Sequence, residues 1–154
     1  MNKILLIDGH SILNRAFYGV PPLTNFEGLH TNAVYGFINI MLKSLEDEHA
    51  DYIAVAFDLK APTFRHEMFA EYKGTRKPMP QELHEQVPVI KEVLAAMTIP
   101  VITLEGYEAD DILGTLAKRC QRDGFEVSIL SGDRDLLQLA DEHIKIRMPK
   151  TVKG

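Results

Sequence analysis

The stretch Gly106-Tyr107-Glu108-Ala109-Asp110-Asp111-Ile112-Leu113-Gly114-Thr115-Leu116-Ala117 sets three carboxylates directly before a helical pattern of apolar residues. The apolar side chains recur at three- and four-residue steps, which is the spacing of one buried helix face: Ile112, Leu113, Leu116, Ala117 and Cys120. The acids therefore lie in the first turn of a predicted helix, where backbone N–H groups and the helix dipole favour negative charge.

Capping alone accounts for one or two acids at a helix start, but three are more than a cap needs. At about 100° per residue, Glu108 and Asp111 should point the same way and Asp110 elsewhere. Neighbouring carboxylates cannot all stay ionised unaided. The cluster therefore predicts a bound cation or a set of hydrogen-bond donors.

Short apolar runs alternate with helical patterns along the rest of the chain. The runs are typical of strands buried on both faces, and they cover residues 4–7, 52–57, 101–104, 126–130 and 144–148. Helical patterns cover residues 10–18, 31–48, 81–97 (disturbed near Pro88), 108–122 and 136–139, with Gly124 as a C-terminal cap. The alternation predicts an α/β fold with a mostly parallel central sheet flanked by helices.

Length and composition fit one globular domain. The chain has 154 residues, 45% of them hydrophobic, which supplies one core but is too little for a membrane protein. The apolar runs are strand-length, so no membrane partner is expected, and residues 1–8 are too short for a signal peptide. Cys120 is the single cysteine and cannot form an internal disulfide, which favours a cytoplasmic location.

Acidic side chains also follow the predicted strands. Asp8, Asp58 and Asp133 each lie at or near the first polar position after an apolar run, and ligands of open parallel sheets bind beyond the carboxyl ends of the strands. One such aspartate alone is usually a turn or an N-cap, but three are hard to explain by coincidence. Seven carboxylates are thus expected to converge: Asp8, Asp58, Glu108, Asp110, Asp111, Asp133 and Asp135. Oxygen ligands suit Mg²⁺ or Mn²⁺, and we expect Asp111 and Asp133 among the closest.

A basic stretch interrupts the alternation at residues 59–80. It carries five lysine and arginine residues against two glutamates, with three aromatic residues interleaved. The net charge of −5 argues against a nucleic-acid partner, yet 15 acidic residues outside the seven face 17 basic ones. Cations beside an acidic metal site fit a phosphate-bearing polymer, and the aromatics could stack on bases or dock on the core.

Five motifs recur in a fixed order: Asp8-Gly9-His10 with Arg15-Ala16-Phe17, Ala56-Phe57-Asp58, Tyr72-Lys73-Gly74-Thr75-Arg76-Lys77-Pro78, Glu108-Ala109-Asp110-Asp111, and Gly132-Asp133-Arg134-Asp135. Each is modest alone. Together, over nearly the whole chain, they resemble the 5′–3′ exonuclease domain at the N-terminus of bacterial DNA polymerase I, in the flap endonuclease group with a PIN-like core.

The resemblance implies a metal-dependent nuclease that hydrolyses phosphodiester bonds near the 5′ end of DNA, removing flaps and RNA primers in replication and repair. The seven carboxylates would hold Mg²⁺ or Mn²⁺, with two ions in the complete domain. Lys73 and Arg76 would join them in catalysis, and residues 65–77 would form a helical gateway over the 5′ end. The implied DNA-binding set is Arg15, Arg65, Tyr72, Lys73, Arg76 and Lys77.

In the family, the domain continues into a helix–hairpin–helix that grips duplex DNA and into a further aspartate pair for the second ion. Residues 1–154 correspond to its PIN-like N-terminal part, and the sequence stops at Gly154 before those features. The resemblance therefore also allows a covalently attached polymerase domain.

Other functions fit parts of the sequence. A small PIN-domain ribonuclease shares the acidic α/β core but leaves the stretch at residues 59–80 unexplained. An aspartyl phosphatase would need a second acid two residues after Asp8, and a phosphoacceptor receiver domain would need an acid pair after the first strand. A DNA-binding fragment without independent activity is the remaining alternative.

Overall fold

Five parallel strands form the central sheet of the computed structural model, which describes residues 2–58 and 79–149. The strand order is β3-β2-β1-β4-β5. The strands are β1 (Lys3–Asp8), β2 (Tyr52–Ala56), β3 (Val101–Ile102), β4 (Glu126–Leu130) and β5 (Ile144–Arg147). The predicted α/β class with a parallel sheet is confirmed. The chain builds β2 and β3 on one side of β1 and then returns to its other side, so the topological switch point lies between β1 and β4.

Helices cover the sheet as the apolar spacing predicts. They are α1 (Gly9–Gly19), α2 (Asn32–Glu48), α3 (Gln81–His84), α4 (Gln86–Ala96) and α5 (Ala109–Arg122), followed by a 3₁₀ helix at Arg134–Leu139. Gly124 has a φ of 90° just after α5, which confirms it as the residue that ends the helix. Within the described ranges, no helix is long and apolar enough to cross a membrane.

Several predicted ends differ by one or two residues, and two larger differences have a physical reason. The third strand covers only two residues, because a turn closed by the Tyr107 amide and the Leu104 carbonyl (3.2 Å) follows it. The helical pattern at 81–97 divides at Glu85 and not at Pro88. Pro88 is the third residue of α4, where its missing N–H removes no intrahelical hydrogen bond.

The core lies on both faces of the sheet. In β1, Leu5 and Ile7 pack with Phe37 of α2 on one face, whereas Leu6 packs with Leu113 of α5 on the other. All five side chains are at most 1% exposed. Burial on both faces is why the strands read as continuous apolar runs.

A buried glutamine joins α4 to the start of α2. The Gln86 Oε1 accepts hydrogen bonds from the amides of Ala33 (2.8 Å) and Val34 (3.1 Å), and its Nε2 donates to Asn32 Oδ1 (2.9 Å). Thr31, at the N-cap position, makes no side-chain cap hydrogen bond. Gln86 therefore satisfies the first amides of α2 from another helix.

The opposite end of α2 is fixed by a buried charge. Glu48 accepts a hydrogen bond from the Ser128 hydroxyl of β4 (2.6 Å) and ion-pairs with Lys3 (3.1 Å), Lys145 (3.3 Å) and Arg147 (3.2 Å). Burial alone would raise the pKa of Glu48, but the hydrogen bonds and the cations outweigh it and lower the pKa to about 2. Glu48 is thus ionised at neutral pH.

Candidate metal centre

Asp8 lies at the end of β1, beside the switch point, and is only 7% exposed. Its Oδ2 accepts a hydrogen bond from the Ser131 hydroxyl at 2.8 Å, directly after β4. The Ser131 Oγ in turn accepts from the Asp133 amide at 3.0 Å. One buried hydroxyl therefore links the carboxylate that ends β1 to the loop that follows β4.

The surroundings of Asp8 disfavour its charge. Burial raises the pKa of Asp8 from 3.8 to about 6, the Ser131 hydroxyl and the Ser11 amide offset part of that rise, and the charges of Asp58 and Asp133 add to it. These Coulombic effects place Asp58 and Asp133 within electrostatic reach of Asp8. A shared site of Asp8, Asp58 and Asp133 stays a prediction.

Asp58 joins the end of β2 to the start of α5. Its Oδ1 accepts a short hydrogen bond from the Ala109 amide, which is the first amide of that helix. Its backbone carbonyl lies 3.4 Å from His10 Nε2 on α1. Asp58 thus holds the acidic stretch of α5 against the strand ends.

The start of α5 is both a cap and a carboxylate cluster. Glu108 is the N-cap, and it forms a capping box in which the Glu108 amide donates to Asp111 Oδ2 (3.2 Å) and the Asp111 amide donates to the Glu108 carboxylate. The pairing of Glu108 with Asp111 is as predicted. The Asp111 amide also donates to Asp110 Oδ1 at 3.0 Å.

The expectation that Asp110 would point elsewhere is wrong. One carboxylate oxygen from each of Glu108, Asp110 and Asp111 lies within 4.8 Å of the other two. The 100° rule applies only to helical residues, whereas Glu108 has extended backbone angles (φ −85°, ψ 162°). Its side chain therefore meets both acids of the first turn.

Asp133 and Asp135 begin the 3₁₀ helix after β4. Asp133 Oδ1 accepts from the Asp135 amide at 2.9 Å, which makes Asp133 the N-cap of that helix. Asp133 is half-buried and its charge acts on Asp8, whereas the Asp135 side chain is exposed. A metal-ligand role for Asp135 therefore stays a prediction.

This donor set suits a hard divalent cation. All the groups are carboxylates, the type of ligand that Mg²⁺ and Mn²⁺ prefer, and three of them offer oxygens close enough to share one ion. Asp58 lies next to this cluster, because its carboxylate accepts a hydrogen bond from the Ala109 amide at the start of α5. The residues present thus fit the predicted ion.

The cationic part of the predicted site is mostly outside the described residues. Arg15 lies on α1 and is half-buried. The other five predicted DNA-binding residues lie within the undescribed range 59–78: Arg65, Tyr72, Lys73, Arg76 and Lys77. Their predicted roles, like that of Arg15, stay predictions.

The sequence did not indicate a role for two serines, Ser11 and Ser131, which hydrogen-bond to the acidic segments. Ser131 is fully buried, and the Ser11 Oγ accepts from the Gly132 amide at 2.8 Å. Serine is common in loops, and neither residue belongs to a spacing pattern. The available signal was the position of Ser131 as the first polar residue after β4, two residues before Asp133.

Fold and site together define an α/β protein with an acidic centre at the carboxyl edge of a parallel sheet. More narrowly, the chain belongs to the family described as the 5′-3′ exonuclease, N-terminal resolvase-like domain, whose model matches residues 3–153. It is 53% identical to a DNA polymerase I of Bacillus caldotenax over 148 residues, which cover 96% of this chain and 17% of that protein.

A shorter relative agrees with this family assignment, and two solved structures share the fold. A 5′-3′ exonuclease of Aquifex aeolicus is 41% identical, across 97% of this chain and 52% of its own length. The bacteriophage T5 5′-exonuclease with bound zinc superposes with a TM-score of 0.73 at 22% identity, covering 96% of this chain and 55% of that one. A T5 flap endonuclease with DNA and metal ions gives 0.69 at 22% identity and the same coverage. The chain thus spans about half or less of these proteins.

The first prediction concerns the charge of Asp8 in metal-free protein. Its folded-state pKa of about 6 exceeds the ordinary 3.8, so its contribution to stability is present below pH 4 and is lost as the pH rises through 6. Asp8→Asn cannot ionise and should raise the free energy of unfolding at pH 7 by about 2–3 kcal/mol. Denaturant unfolding with a chelator present measures this.

Glu48→Gln is the control, because its stability at pH 7 should change in the opposite direction. The pKa of Glu48 is lowered, so its charge stabilises the fold above pH 4.5, and the variant should be less stable at pH 7. If Asp8→Asn gained nothing between pH 4 and pH 7, the burial and the neighbouring charges would not raise the pKa of Asp8.

Proposed function

We propose that this chain is the N-terminal, PIN-like part of a 5′ nuclease that hydrolyses phosphodiester bonds near the 5′ end of DNA. The observation that carries the proposal is the convergence of acids from two strand ends, the loop after β4 and the start of α5 at one switch point. Membership in the 5′-3′ exonuclease family supports it. Because the chain spans 17% of its DNA polymerase I relatives, activity and substrate belong to this proposal.

The acids would hold divalent ions, Mg²⁺ or Mn²⁺. When bound, such ions supply an activated water and stabilise charge on a phosphoryl group. The chain's own contribution is geometric. Asp58 fixes the start of α5 through the Ala109 amide, and Ser131 fixes Asp8, so the carboxylates are arranged before any ion arrives.

The partner would be DNA with a 5′ end or flap, including RNA primers annealed to DNA. The T5 flap endonuclease is described in a complex with DNA and metal ions, which supports this choice. Basic residues of the range 59–78 would hold backbone phosphates, together with Arg15. The polymerase relatives, of which the match is a small part, support a covalently attached polymerase as a further partner.

The second prediction concerns cleavage by residues 1–154 alone. The acids described here should hold one ion firmly and a second weakly, because the family resemblance assigns further support to residues past Gly154. We expect cleavage of a labelled 5′-flap DNA to be absent in Mg²⁺ and weak at high Mn²⁺, which tolerates irregular coordination better. A longer form that continues past Gly154 should cleave in Mg²⁺.

The substrate and a variant separate the alternatives. Single-stranded RNA of the same sequence should remain intact, whereas a small PIN ribonuclease would cut it. Asp111→Asn in the longer form should lose at least about a hundredfold in rate. Equal rates for the short and long forms on the flap would contradict the proposal that residues past Gly154 support the second ion. Binding of DNA by residues 1–154 with no cleavage in either Mg²⁺ or Mn²⁺ would favour a DNA-binding fragment without independent activity.

The third prediction concerns the basic stretch. Lys73→Ala and Arg76→Ala should each weaken DNA binding and reduce the slope of log affinity against log salt by about one ion. Lys43→Ala is the matched control, since Lys43 is an exposed cation on α2 whose partner is Asp47 at 3.6 Å. The salt slopes can be measured by fluorescence anisotropy. If both variants had the slope of the Lys43→Ala control, Lys73 and Arg76 would not contact phosphates.

A further inference from the structure

Ser131 contacts two carboxylate-bearing segments at once. Its hydroxyl donates to Asp8 Oδ2 at 2.8 Å, and the same oxygen accepts from the Asp133 amide at 3.0 Å. Ser131 is 0% exposed, so both hydrogen bonds are shielded from bulk water. One buried oxygen therefore holds both the carboxylate of Asp8 and the backbone of Asp133.

Ser11 supports this arrangement from α1. Its Oγ accepts from the Gly132 amide at 2.8 Å and lies 3.5 Å from the Ser131 Oγ. The first turn of α1 thus holds the backbone between Ser131 and Asp133. Three segments that meet at the switch point, namely the end of β1, the first turn of α1 and the loop after β4, are joined through two serine hydroxyls.

We propose that Ser131 is a positioning residue of the metal centre: it fixes Asp8 and Asp133 in the relative geometry that a divalent ion requires. The inference rests on the proposed function, since it presupposes that these aspartates face an ion. Hydrogen bonds to ligand carboxylates fix their rotamers before binding, and losing such a partner typically weakens metal affinity about 10–100-fold.

The same strand provides a matched control. Ser128 is also fully buried in β4, and its hydroxyl also donates to a buried carboxylate, that of Glu48, at 2.6 Å. Glu48 is held by Lys3, Lys145 and Arg147 and has no part in the acidic centre. Ser128→Ala therefore removes an equivalent hydrogen bond without touching Asp8 or Asp133.

The fourth prediction follows from this pair. Ser131→Ala should weaken Mn²⁺ binding about 10–100-fold, and Ser131→Thr, which keeps the hydroxyl, should recover most of the affinity. Ser128→Ala should stay within about twofold of the original protein, although both alanine variants should lose similar stability. Calorimetric titration with Mn²⁺ measures affinity, and thermal unfolding of the same samples measures stability.

The outcomes separate the inference from the proposed function. If the original protein bound no Mn²⁺, the proposed metal centre would fail. If it bound Mn²⁺ and Ser131→Ala bound it equally well, only the positioning role would fail. Should Ser131→Ala not fold, Ser11→Ala provides the test: it should weaken Mn²⁺ binding severalfold, and unchanged affinity in that folded variant would overturn the inference.

Discussion

The close approach of carboxylates at one edge of the sheet is the constraint on which the rest of the site depends. The fold brings six of them together, and each accepts a hydrogen bond from the protein: Asp8 from Ser131, Asp58 from Ala109, Glu108 and Asp110 from Asp111, Asp111 from Glu108, and Asp133 from Asp135. These bonds orient the acids without neutralising them. The remaining charge is the feature that a divalent cation would balance.

Two buried serine–carboxylate pairs in this chain differ in the charges that surround the carboxylate. Ser128 donates to Glu48, and Ser131 donates to Asp8, at similar distances. The pKa of Glu48 falls to about 2 because cations surround it, whereas the pKa of Asp8 rises to about 6 because burial and neighbouring aspartates act on it. The protein supplies its own counter-charges at the first site. At Asp8, the charges acting on the carboxylate are those of other acids, as expected for a ligand site.

Periodicity predicted the parallel sheet, with Asp8 at the end of β1 and Asp58 just after β2. Apolar runs buried on both faces predict a parallel sheet, and polar residues directly after them must meet at one edge. The serine contacts could not be predicted, because Ser131 and Asp8 are 123 residues apart and only the folded sheet joins them. Likewise, Gln86 caps α2 across 53 residues. The placement of Asp110 was wrong because Glu108 is extended and not helical.

The central claim is that the acids of the switch point share a divalent ion, and locating that ion tests it most directly. Crystals soaked in Mn²⁺ and measured at a wavelength where manganese scatters anomalously would give its position. The account predicts a peak within about 2.0–2.5 Å of carboxylate oxygens from both the start of α5 and the strand ends, with Asp111 and Asp133 among the closest. A well-ordered crystal with no peak there, or with peaks only on unrelated surface acids such as Glu142, would contradict it.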